Sequence, residues 1–305
     1  MFFFKSLLRY KYVKNSNSFD ITMNIGIIGN GFVGKATKIL ECAKIETYMY
    51  DIDPDLCDPS GLTLEELVLN CDIIFISVPT PMNKDGSCHL KILESVIKNI
   101  SKYTELDNKC VVIRSTVPPG TANRLNCYFM PEFLTEKNYK KDFVNNNKWI
   151  FGLKNKKQDV VFKEKITFLI NMSFLNKKIK NNNIIFLENS EAEMVKLFRN
   201  AFLAVKVSFC NEMYEFCDEQ NINYENVRKV ACFDNRIGES HSYVPGNDGK
   251  RGYGGTCFPK DIRNINSEME KINIKSHIIK SSIYRNEHID RPEREWKENK
   301  GRTVV

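Results

Sequence analysis

The segment MNIGIIGNGFVGKATKILECA, residues 23–43, constrains the fold of this chain more than any other. A short apolar run comes first, three glycines follow within six residues, and a helical pattern then extends to Cys42. The run ETYMYDID follows and reads as a second strand. A strand, a glycine turn, a helix and a second strand form a βαβ unit, whose two strands lie parallel. The sequence therefore predicts a parallel sheet covered by helices.

Four later apolar runs continue this alternation: CDIIFISVPTP, KCVVIRSTVPPG, NCYFMPEFL and WIFGL. Strands that alternate with helices imply right-handed crossovers and the α/β class. We predict a Rossmann-type domain with a parallel sheet over residues 23–190. The residues before it, 1–22, are predicted to be a disordered extension.

The pattern changes to a long helical period at residue 191. Large apolar side chains recur at intervals of three and four residues as far as residue 217, which predicts a helix of about 27 residues. These side chains are Phe198, Phe202, Val205, Phe209, Met213 and Phe216. We expect an all-α domain over residues 191–290, built on this helix and forming a homodimer through it. Residues 291–305 are predicted to be a C-terminal tail.

Composition limits the possible partners. The chain has 305 residues, 42% of them hydrophobic, and a net charge of +7 without a block of like charges that would bind nucleic acid. The apolar stretch at the amino terminus is too short for a signal sequence or a membrane span. The ten cysteines contain no CxxC pair, which favours a reduced, cytoplasmic protein over a disulfide framework. We predict no nucleic-acid, membrane or metal site.

The glycine turn predicts a dinucleotide site. A GxGxxG pattern after a strand and before a helix lets the backbone approach a pyrophosphate, and Asp51 ends the next strand, where it can hold the ribose hydroxyls. An acidic residue there favours NAD over NADP, with Asp53 as an alternative for the ribose. A tight turn without cofactor is the other interpretation. The turn residues expected to bind NAD are Gly29, Gly31, Phe32, Val33 and Gly34.

Three polar segments follow predicted strands and should lie at the carboxyl edge of the sheet, where ligands bind in this architecture. They are SVPTP at residues 77–81, RSTVPPGT at 114–121 and MPEFLTE at 130–136. Prolines there can equally be strand terminators. Glu132 and Glu136 in the last segment can equally be solvated surface carboxylates.

One face of the predicted long helix carries Lys196 and Asn200, four residues apart and away from the phenylalanine positions. Both side chains can therefore point into one cleft. The alternative is an ordinary solvated helix face.

The segment RGYGGTCFPKDI, residues 251–262, places Cys257 just before a predicted helix. Pro259 suits the first helical turn, and both a helix amino terminus and the nearby Lys260 favour a reactive thiolate. The glycines at 252, 254 and 255 should let a substrate come close. The alternative is that Cys257 is a small buried hydrophobic residue.

Taken together, GIIGNGFVG, VPTP, STVPPGT, PEFLTE, EMVKLFRNAF and GYGGTCFPKD resemble, in this order, the motifs of the UDP-glucose/GDP-mannose dehydrogenase family. The resemblance extends from residue 23 to about residue 300. It implies oxidation of a nucleotide-sugar C6 alcohol to a carboxylate with two NAD, through a cysteine-bound thiohemiacetal and thioester. UDP-glucose is the expected substrate and GDP-mannose the alternative. A non-catalytic protein that binds NAD or a nucleotide sugar is the alternative of another class.

The same resemblance assigns catalytic roles. Cys257 matches the nucleophile, and Lys196 and Asn200 match residues that stabilise the oxyanion at C6. Asp261 and Thr116 match residues that orient or activate water. The resemblance also implies that Glu132 helps to manage protons and hydrolysis.

Binding roles follow from the resemblance too. Glu136 is expected near the nicotinamide, and Arg236 is expected to reach the substrate of the neighbouring subunit. The remaining cofactor contacts are expected from Pro79, Thr80, Thr116 and Lys260. The remaining substrate contacts are expected from Glu132, Phe133, Leu134, Lys196, Asn200, Tyr253 and Gly254.

Two features depart from the family pattern. Members usually carry a further carboxyl-terminal domain that helps to bind the nucleotide, and this chain stops short of it. The segment SHSYVPGNDGKRGYGG, residues 240–255, is longer and more polar than expected ahead of the cysteine. We expect it to supply some of the nucleotide contacts.

Overall fold

The computed structural model describes residues 22–305, which form two compact units. The first unit comprises residues 22–77, 98–114 and 126–187, and the second comprises residues 78–97, 115–125 and 188–305. The sequence predicted two consecutive domains, whereas these units alternate along the chain because two loops that follow strands belong to the second unit. The extension predicted for residues 1–22 lies outside the described residues except for its last residue.

The secondary structure alternates as predicted over the first half of the chain. The strands are β1 (Met23–Ile28), β2 (Ile45–Tyr50), β3 (Ile73–Ile76), β4 (Cys110–Ile113), β5 (Tyr128–Phe129), β6 (Trp149–Leu153) and β7 (Ile184–Glu188). The helices are α1 (Phe32–Thr37), α2 (Leu64–Asn70), α3 (Lys91–Ile100), α4 (Thr121–Arg124), α5 (Tyr139–Val144), α6 (Asp159–Leu175), α7 (Asn189–Glu219), α8 (Tyr224–Ala231), α9 (Phe258–Lys271) and α10 (His277–Arg285).

The first unit is built on a seven-stranded sheet in the order β2-β1-β3-β4-β5-β6-β7. The pairs from β2 to β5 are parallel, and β5 pairs with β6 in the antiparallel direction. The strand order reverses at β1, so the carboxyl ends of β1 and β3 border the crevice where such sheets bind ligands. The predicted fold class is confirmed.

The central strands are parallel because they can be buried on both faces. The runs IIFI in β3 and CVVI in β4 are apolar at every position, and all eight residues are buried. Aromatic residues fill the core beside them, with the rings of Tyr128 and Phe162 stacked at a centroid distance of 3.6 Å. Burial of one large apolar side chain stabilises a fold by about 1.5–3 kcal/mol. Because this core buries many such side chains, it fixes the positions of the strands and of their ends.

The second unit is built on α7, a helix of 31 residues against which α9 and α10 pack. Its buried face carries polar as well as small apolar side chains, whereas several large apolar side chains are exposed. The buried polar residues are Asn189, Glu193, Lys196, Asn200, Ser208 and Asn211. The exposed residues include Phe198, Phe202, Phe209, Met213 and Phe216. Of the predicted apolar positions, Val205 packs against the core of the unit.

Residues 291–305 are folded within the second unit, in contrast to the predicted tail. Trp296 and Thr303 are fully buried. The N–H of Met82 donates to the carbonyl of Thr303 at 2.8 Å, and the N–H of Val305 donates to the carbonyl of Met82 at 3.1 Å. The physical reason is that a buried tryptophan and two backbone bonds outweigh the polarity of the surrounding sequence.

Between residues 22 and 305, no helix is both long enough and apolar enough to cross a membrane.

Candidate functional site

The glycine turn after β1 has the shape of a phosphate cradle. Gly29 adopts a φ of 98°, and a Cβ on Gly34 would lie 1.9 Å from the carbonyl oxygen of Gly29. A Cβ on Gly31 would meet nothing within 4 Å. Gly34 therefore closes the turn, whereas Gly31 leaves open space in front of it. Phe32 and Val33 form the first turn of α1, as the pattern predicted.

Asp51 lies beside this turn at the end of β2. Its Oδ2 accepts the N–H of Asn30 at 2.7 Å, and its Oδ1 accepts the N–H of Asp53 at 3.2 Å. The carboxylate of Asp53 instead accepts the N–H of Asp55 at 3.1 Å and caps a local turn. Asp51 is therefore the carboxylate that bonds to the glycine turn, whereas the hydrogen bond of Asp53 is local.

Ile52 was not identified from the sequence as a site residue. It follows Asp51 directly, and 94% of its surface is exposed. This exposed β-branched side chain presents an apolar surface beside Asp51 and the glycine turn. The signal in the sequence is a single apolar residue between two aspartates at a strand end. The glycines, Asp51 and Ile52 together fit an adenine dinucleotide.

The segment after β5 separates the two predicted glutamates. Glu132 is buried and its Oε2 accepts the N–H of Leu134 at 2.8 Å, whereas Glu136 is exposed in a short turn. The buried guanidinium of Arg114, which the sequence analysis did not single out, lies near Glu132. Burial lowers the pKa of Arg114 to about 10, and the charge of Glu132 opposes this shift. Glu132 is thus a buried, charge-compensated carboxylate. Leu134 packs on the core, and the neighbouring Phe133 is half-buried.

Two loops of the second unit are joined directly. The Oγ1 of Thr80 donates to the main-chain carbonyl of Thr116 at 2.7 Å, and both residues are buried. The thiol of Cys88 contacts the same carbonyl at 3.6 Å. Pro79 is exposed next to Thr80. The structure therefore brings together the loops 78–81 and 115–121, as the predicted sheet geometry required.

Cys257, Lys260, Asp261 and Asn200 form a cluster in the second unit. Cys257 is the residue before α9, and Pro259 is in the first turn of that helix. The Nζ of Lys260 donates to Oδ1 of Asp261 at 2.5 Å, and the Nδ2 of Asn200 donates to Oδ2 at 2.6 Å. Asp261 and Asn200 are buried, so the carboxylate is held from two sides.

Lys260 carries a positive charge in this cluster. Burial lowers the pKa of Lys260, but the negative charges of Asp261 and of the Cys257 thiolate raise it more, and the net shift is upward. Lys260 therefore stays protonated, and its ammonium group lies close enough to Cys257 for the two side chains to interact electrostatically. None of the ten cysteines forms a disulfide.

Two of the three glycines before Cys257 are tightly packed against a distant segment of the chain. A Cβ on Gly252 would lie 2.4 Å from Oδ1 of Asn286, and a Cβ on Gly254 would lie 2.1 Å from Oε1 of Glu295. Only the third, Gly255, faces open space. The chain therefore packs its own residues 286–295 against Gly252 and Gly254, and the expectation that these glycines let a substrate come close stays a prediction.

Tyr253 is fixed between these glycines by an amide clamp. Its N–H donates to Oδ1 of Asn286 at 2.7 Å, and its carbonyl accepts from Nδ2 of Asn286 at 2.9 Å. The N–H of Gly252 donates to Oδ1 of Asn211 at 3.2 Å. Sequence reasoning missed Asn286 because it is 33 residues away along the chain.

A cavity of about 430 Å³ opens beside the cysteine loop in the second unit. The predicted substrate residues Tyr253 and Gly254 line it, together with Val207, Ser240, His241, Tyr243, Gly246, Asn247, Asp248, Gly252, Gly255, Phe258 and Arg291. The polar segment 240–255 thus forms much of the cavity wall. Lys206 holds the start of this segment by donating to the carbonyls of residues 237, 238 and 240 at 2.5–2.9 Å.

Arg236 does not line this cavity. Its side chain is 89% exposed and forms an ion pair with Asp234, two residues away. Its predicted role toward a neighbouring subunit stays a prediction.

The chain matches two family models. The NAD-binding domain of the UDP-glucose/GDP-mannose dehydrogenase family matches residues 61–167, and the central domain of the same family matches residues 190–288. These matches confirm the prediction that NAD is the cofactor.

Individual relatives agree with these models. A UDP-glucose 6-dehydrogenase of Rickettsia prowazekii is 30% identical over 87% of this chain and 67% of its own length. The UDP-glucose dehydrogenase structure from Pyrobaculum islandicum has a TM-score of 0.74 at 22% identity and covers 90% of this chain and 70% of its own. The structure of GDP-mannose dehydrogenase from Pseudomonas aeruginosa has a TM-score of 0.61 at 24% identity. The match covers 87% of this chain and 68% of that structure's chain. At these identities the two structures show the fold alone. The chain spans about half to two thirds of the length of the curated relatives it matches.

Proposed function

Because the chain belongs to the UDP-glucose/GDP-mannose dehydrogenase family, we propose that it oxidises the C6 alcohol of UDP-glucose to the carboxylate of UDP-glucuronate. One observation carries this proposal: Cys257 precedes α9 beside the protonated Lys260, in one cluster with Asp261 and Asn200. A thiolate that is stabilised by a neighbouring cation is a nucleophile suited to capturing an aldehyde.

The overall reaction consumes one alcohol, two NAD and one water, and yields one carboxylate, two NADH and three protons. NAD, when bound, accepts a hydride in each of the two oxidations. Between the two oxidations, the thiolate of Cys257 adds to the C6 aldehyde to give a thiohemiacetal. The second oxidation converts this adduct to a thioester, and water cleaves the thioester and returns the thiol. Covalent capture explains why the aldehyde would not be released.

Lys196 and Asn200 are proposed to stabilise the negative charge that develops on the C6 oxygen. Both are buried on one face of α7, four residues apart. One amide hydrogen of Asn200 is used by Asp261, and the second can donate to the substrate oxygen. Donors fixed on a rigid helix need little reorganisation as charge develops.

Asp261, Thr116 and Glu132 are proposed to manage water and protons. Asp261 is buried and bonded on both oxygens, so its role is to orient its neighbours in the cluster. Thr116 is held by Thr80 and is proposed to orient the attacking water. Glu132 is proposed to accept a proton, with its charge balanced by Arg114.

Cofactor and substrate binding are proposed as follows. NAD is held by the glycine turn and Asp51, with further contacts from Pro79, Thr80, Thr116, Glu136 and Lys260. The nucleotide sugar contacts Phe133 and Leu134 and enters the cavity lined by Tyr253 and Gly254. A reducing, cytoplasmic environment suits this chemistry because the thiol must stay reduced.

We also propose that the protein is a homodimer formed through the exposed apolar face of α7. Phe198, Phe202 and Phe209 are each about 60% exposed, and the rings of Phe198 and Phe202 stack at a centroid distance of 6.5 Å. A contiguous apolar stripe of this kind is typical of a protein interface. Arg236 is then available to the substrate of the partner subunit.

NADH formation with UDP-glucose and with GDP-mannose tests the function. We expect two NADH per UDP-glucose, and we expect the Cys257→Ala variant to lose this yield. Cys42→Ala, which changes another half-buried cysteine, is the matched control and should behave as the unchanged protein. Turnover of GDP-mannose instead would change the substrate assignment. If NADH binds but neither sugar is oxidised, the chain is a non-catalytic binding protein.

A further inference from the structure

Glu193 is a buried acid to which the proposed reaction gives no role. It lies on α7, three residues before Lys196 and seven before Asn200, and therefore on the same helix face. Its side chain is completely buried. Burial of a carboxylate is unfavourable unless its oxygens are well bonded, so such a residue calls for a structural reason.

The carboxylate of Glu193 holds a loop. Its Oε2 accepts the N–H of Gly120 at 2.5 Å, and its Oε1 accepts the N–H of Ala122 at 2.7 Å. Gly120 adopts a φ of 89°, so the chain turns sharply at this point. Both oxygens thus bind backbone donors at the end of the segment 115–121.

This segment is the one that carries Thr116. The main-chain carbonyl of Thr116 in turn accepts the Oγ1 hydroxyl of Thr80. The Oγ of Ser115 donates to the carbonyl of Val78 at 2.6 Å, which adds a second link between the two loops. Two hydrogen bonds therefore join Glu193 to the segment 115–122, and two more join that segment to residues 78–80. We proposed cofactor contacts for both of these loops.

A carboxyl group, which is ionised at a pH above its pKa, suits this place better than an amide. Two N–H groups point at two oxygens, and a carboxylate presents an acceptor to each. Glutamine has the same shape but would turn an NH₂ group toward one of the two donors. Burial, partly offset by these two N–H groups, raises the pKa of Glu193 to about 7. Burying this carboxylate in its charged form therefore lowers the stability of the folded state.

We propose that Glu193 is a positioning residue for NAD: it anchors the segment 115–122 to α7 and so fixes Thr116 and Thr80 for the cofactor. This inference rests on the proposed cofactor role of these two threonines. It assigns no contact between Glu193 and the substrate.

The test compares Glu193→Gln with Glu212→Gln, an exposed glutamate on the same helix. At about pH 8, above the pKa of Glu193, we expect Glu193→Gln to weaken NADH binding about tenfold, since one charge-assisted hydrogen bond is lost and one donor is left unpaired. Hydrogen exchange should become faster in residues 115–122 and 78–83. The rate at which iodoacetamide alkylates Cys257 should stay within about twofold of the unchanged protein, because Asn211 and Asn286 hold that loop.

Unchanged NADH affinity in Glu193→Gln would overturn the proposal. So would an equal change in NADH affinity and in Cys257 alkylation, which would indicate a general loss of structure. If Glu193→Gln does not fold, Glu193→Asp keeps the charge on a shorter side chain. It should show a smaller loss of NADH affinity together with the same local increase in exchange, and unchanged affinity and exchange would again overturn the proposal.

NADH titration and alkylation need no sugar turnover. A failure to oxidise UDP-glucose would therefore overturn the proposed function without deciding the role of Glu193.

Discussion

Gly31 and Gly34 show how two glycines of one motif differ in role. A Cβ on Gly34 would collide with the carbonyl of Gly29, whereas a Cβ on Gly31 would enter open space. We expect Gly34→Ala to lower the free energy of unfolding by about 2 kcal/mol or more, because the backbone must shift. Gly31→Ala should fold normally and lose NADH binding, since its methyl group occupies the place of a phosphate. Urea unfolding and NADH titration of both variants check this, and equal stabilities would contradict it.

The raised pKa of Glu193 predicts a pH dependence of stability. The folded state holds its proton up to about pH 7, whereas the unfolded state releases it near the ordinary value of 4.5. The stabilising contribution is therefore full below the unfolded pKa and is lost as the pH rises through the folded one. The shift corresponds to about 3 kcal/mol.

This dependence can be measured against Glu193→Gln, which cannot titrate at that position. The free energy of unfolding of the unchanged protein, relative to the variant, should fall by about 3 kcal/mol between pH 4.5 and pH 8. Urea unfolding at several pH values measures this difference. Parallel pH profiles of the two proteins would show that the buried carboxylate keeps an ordinary pKa.

The sequence predicted individual residues well where the reason is local. Asp51 ends a strand beside a glycine turn, and Cys257 precedes a helix with Pro259 in its first turn, as the spacing required. The sequence did not show the close packing of Gly252 and Gly254, because their neighbours, Asn286 and Glu295, come from a distant segment. A glycine in the sequence can indicate that a side chain would not fit at that position, but it does not show which atoms of the chain occupy the space.

The helix α7 was predicted correctly in type and nearly in length, and Lys196 and Asn200 lie apart from the phenylalanine positions, as expected: the first two are buried and the phenylalanines are exposed. The partners of its buried polar residues could not be predicted from the sequence. Phenylalanines at helical spacing ordinarily mark the buried face. Here polar residues are buried instead, because loops far away in the sequence supply their hydrogen-bond partners: Gly120 and Ala122 for Glu193, and Asp261 for Asn200. Which face of such a helix is buried is decided by tertiary structure.

The junction of α10 with the cysteine loop carries a further prediction. Asn286, in the short π-helical turn that follows α10, makes two hydrogen bonds to the backbone of Tyr253. We expect Asn286→Ala to lower stability by about 2–4 kcal/mol, since both backbone groups lose buried partners. Hydrogen exchange in residues 252–257 should rise, and sugar oxidation should fall about tenfold while NADH affinity is retained.

Asn147→Ala, at an exposed site, is the matched control for this substitution and should change none of these quantities. Full sugar oxidation by Asn286→Ala would show that the clamp does not position the thiol. Loss of NADH affinity together with activity would point to a general loss of structure.

At the scale of the whole molecule, the order of elements along the chain could be predicted but the division into units could not. The loops 78–97 and 115–125 leave strands of the first unit and belong to the second. Hydrophobic periodicity identifies strands and helices, whereas membership of a unit depends on contacts such as Met82 with Thr303. The same contacts explain why residues 291–305 are folded.

The proposed dimer predicts complementation between two inactive variants. Cys257→Ala keeps Arg236, and Arg236→Ala keeps the thiol. If Arg236 serves the site of the neighbouring subunit, a mixed dimer contains one complete site, with its thiol from one chain and its arginine from the other. Each variant alone should be inactive or nearly so.

Equal amounts of the two variants, unfolded together and refolded, should recover about a quarter of the unchanged activity, because half of the dimers are mixed and each has one working site. The NADH formed with UDP-glucose measures the recovery. Adding Phe202→Glu to both chains should abolish it, since a charge on the exposed apolar stripe of α7 prevents association. Phe174→Glu, on α6, is the control for a new surface charge. If no activity returns although sedimentation shows dimers, Arg236 acts within its own subunit. If Arg236→Ala is fully active alone, Arg236 has no role in the reaction.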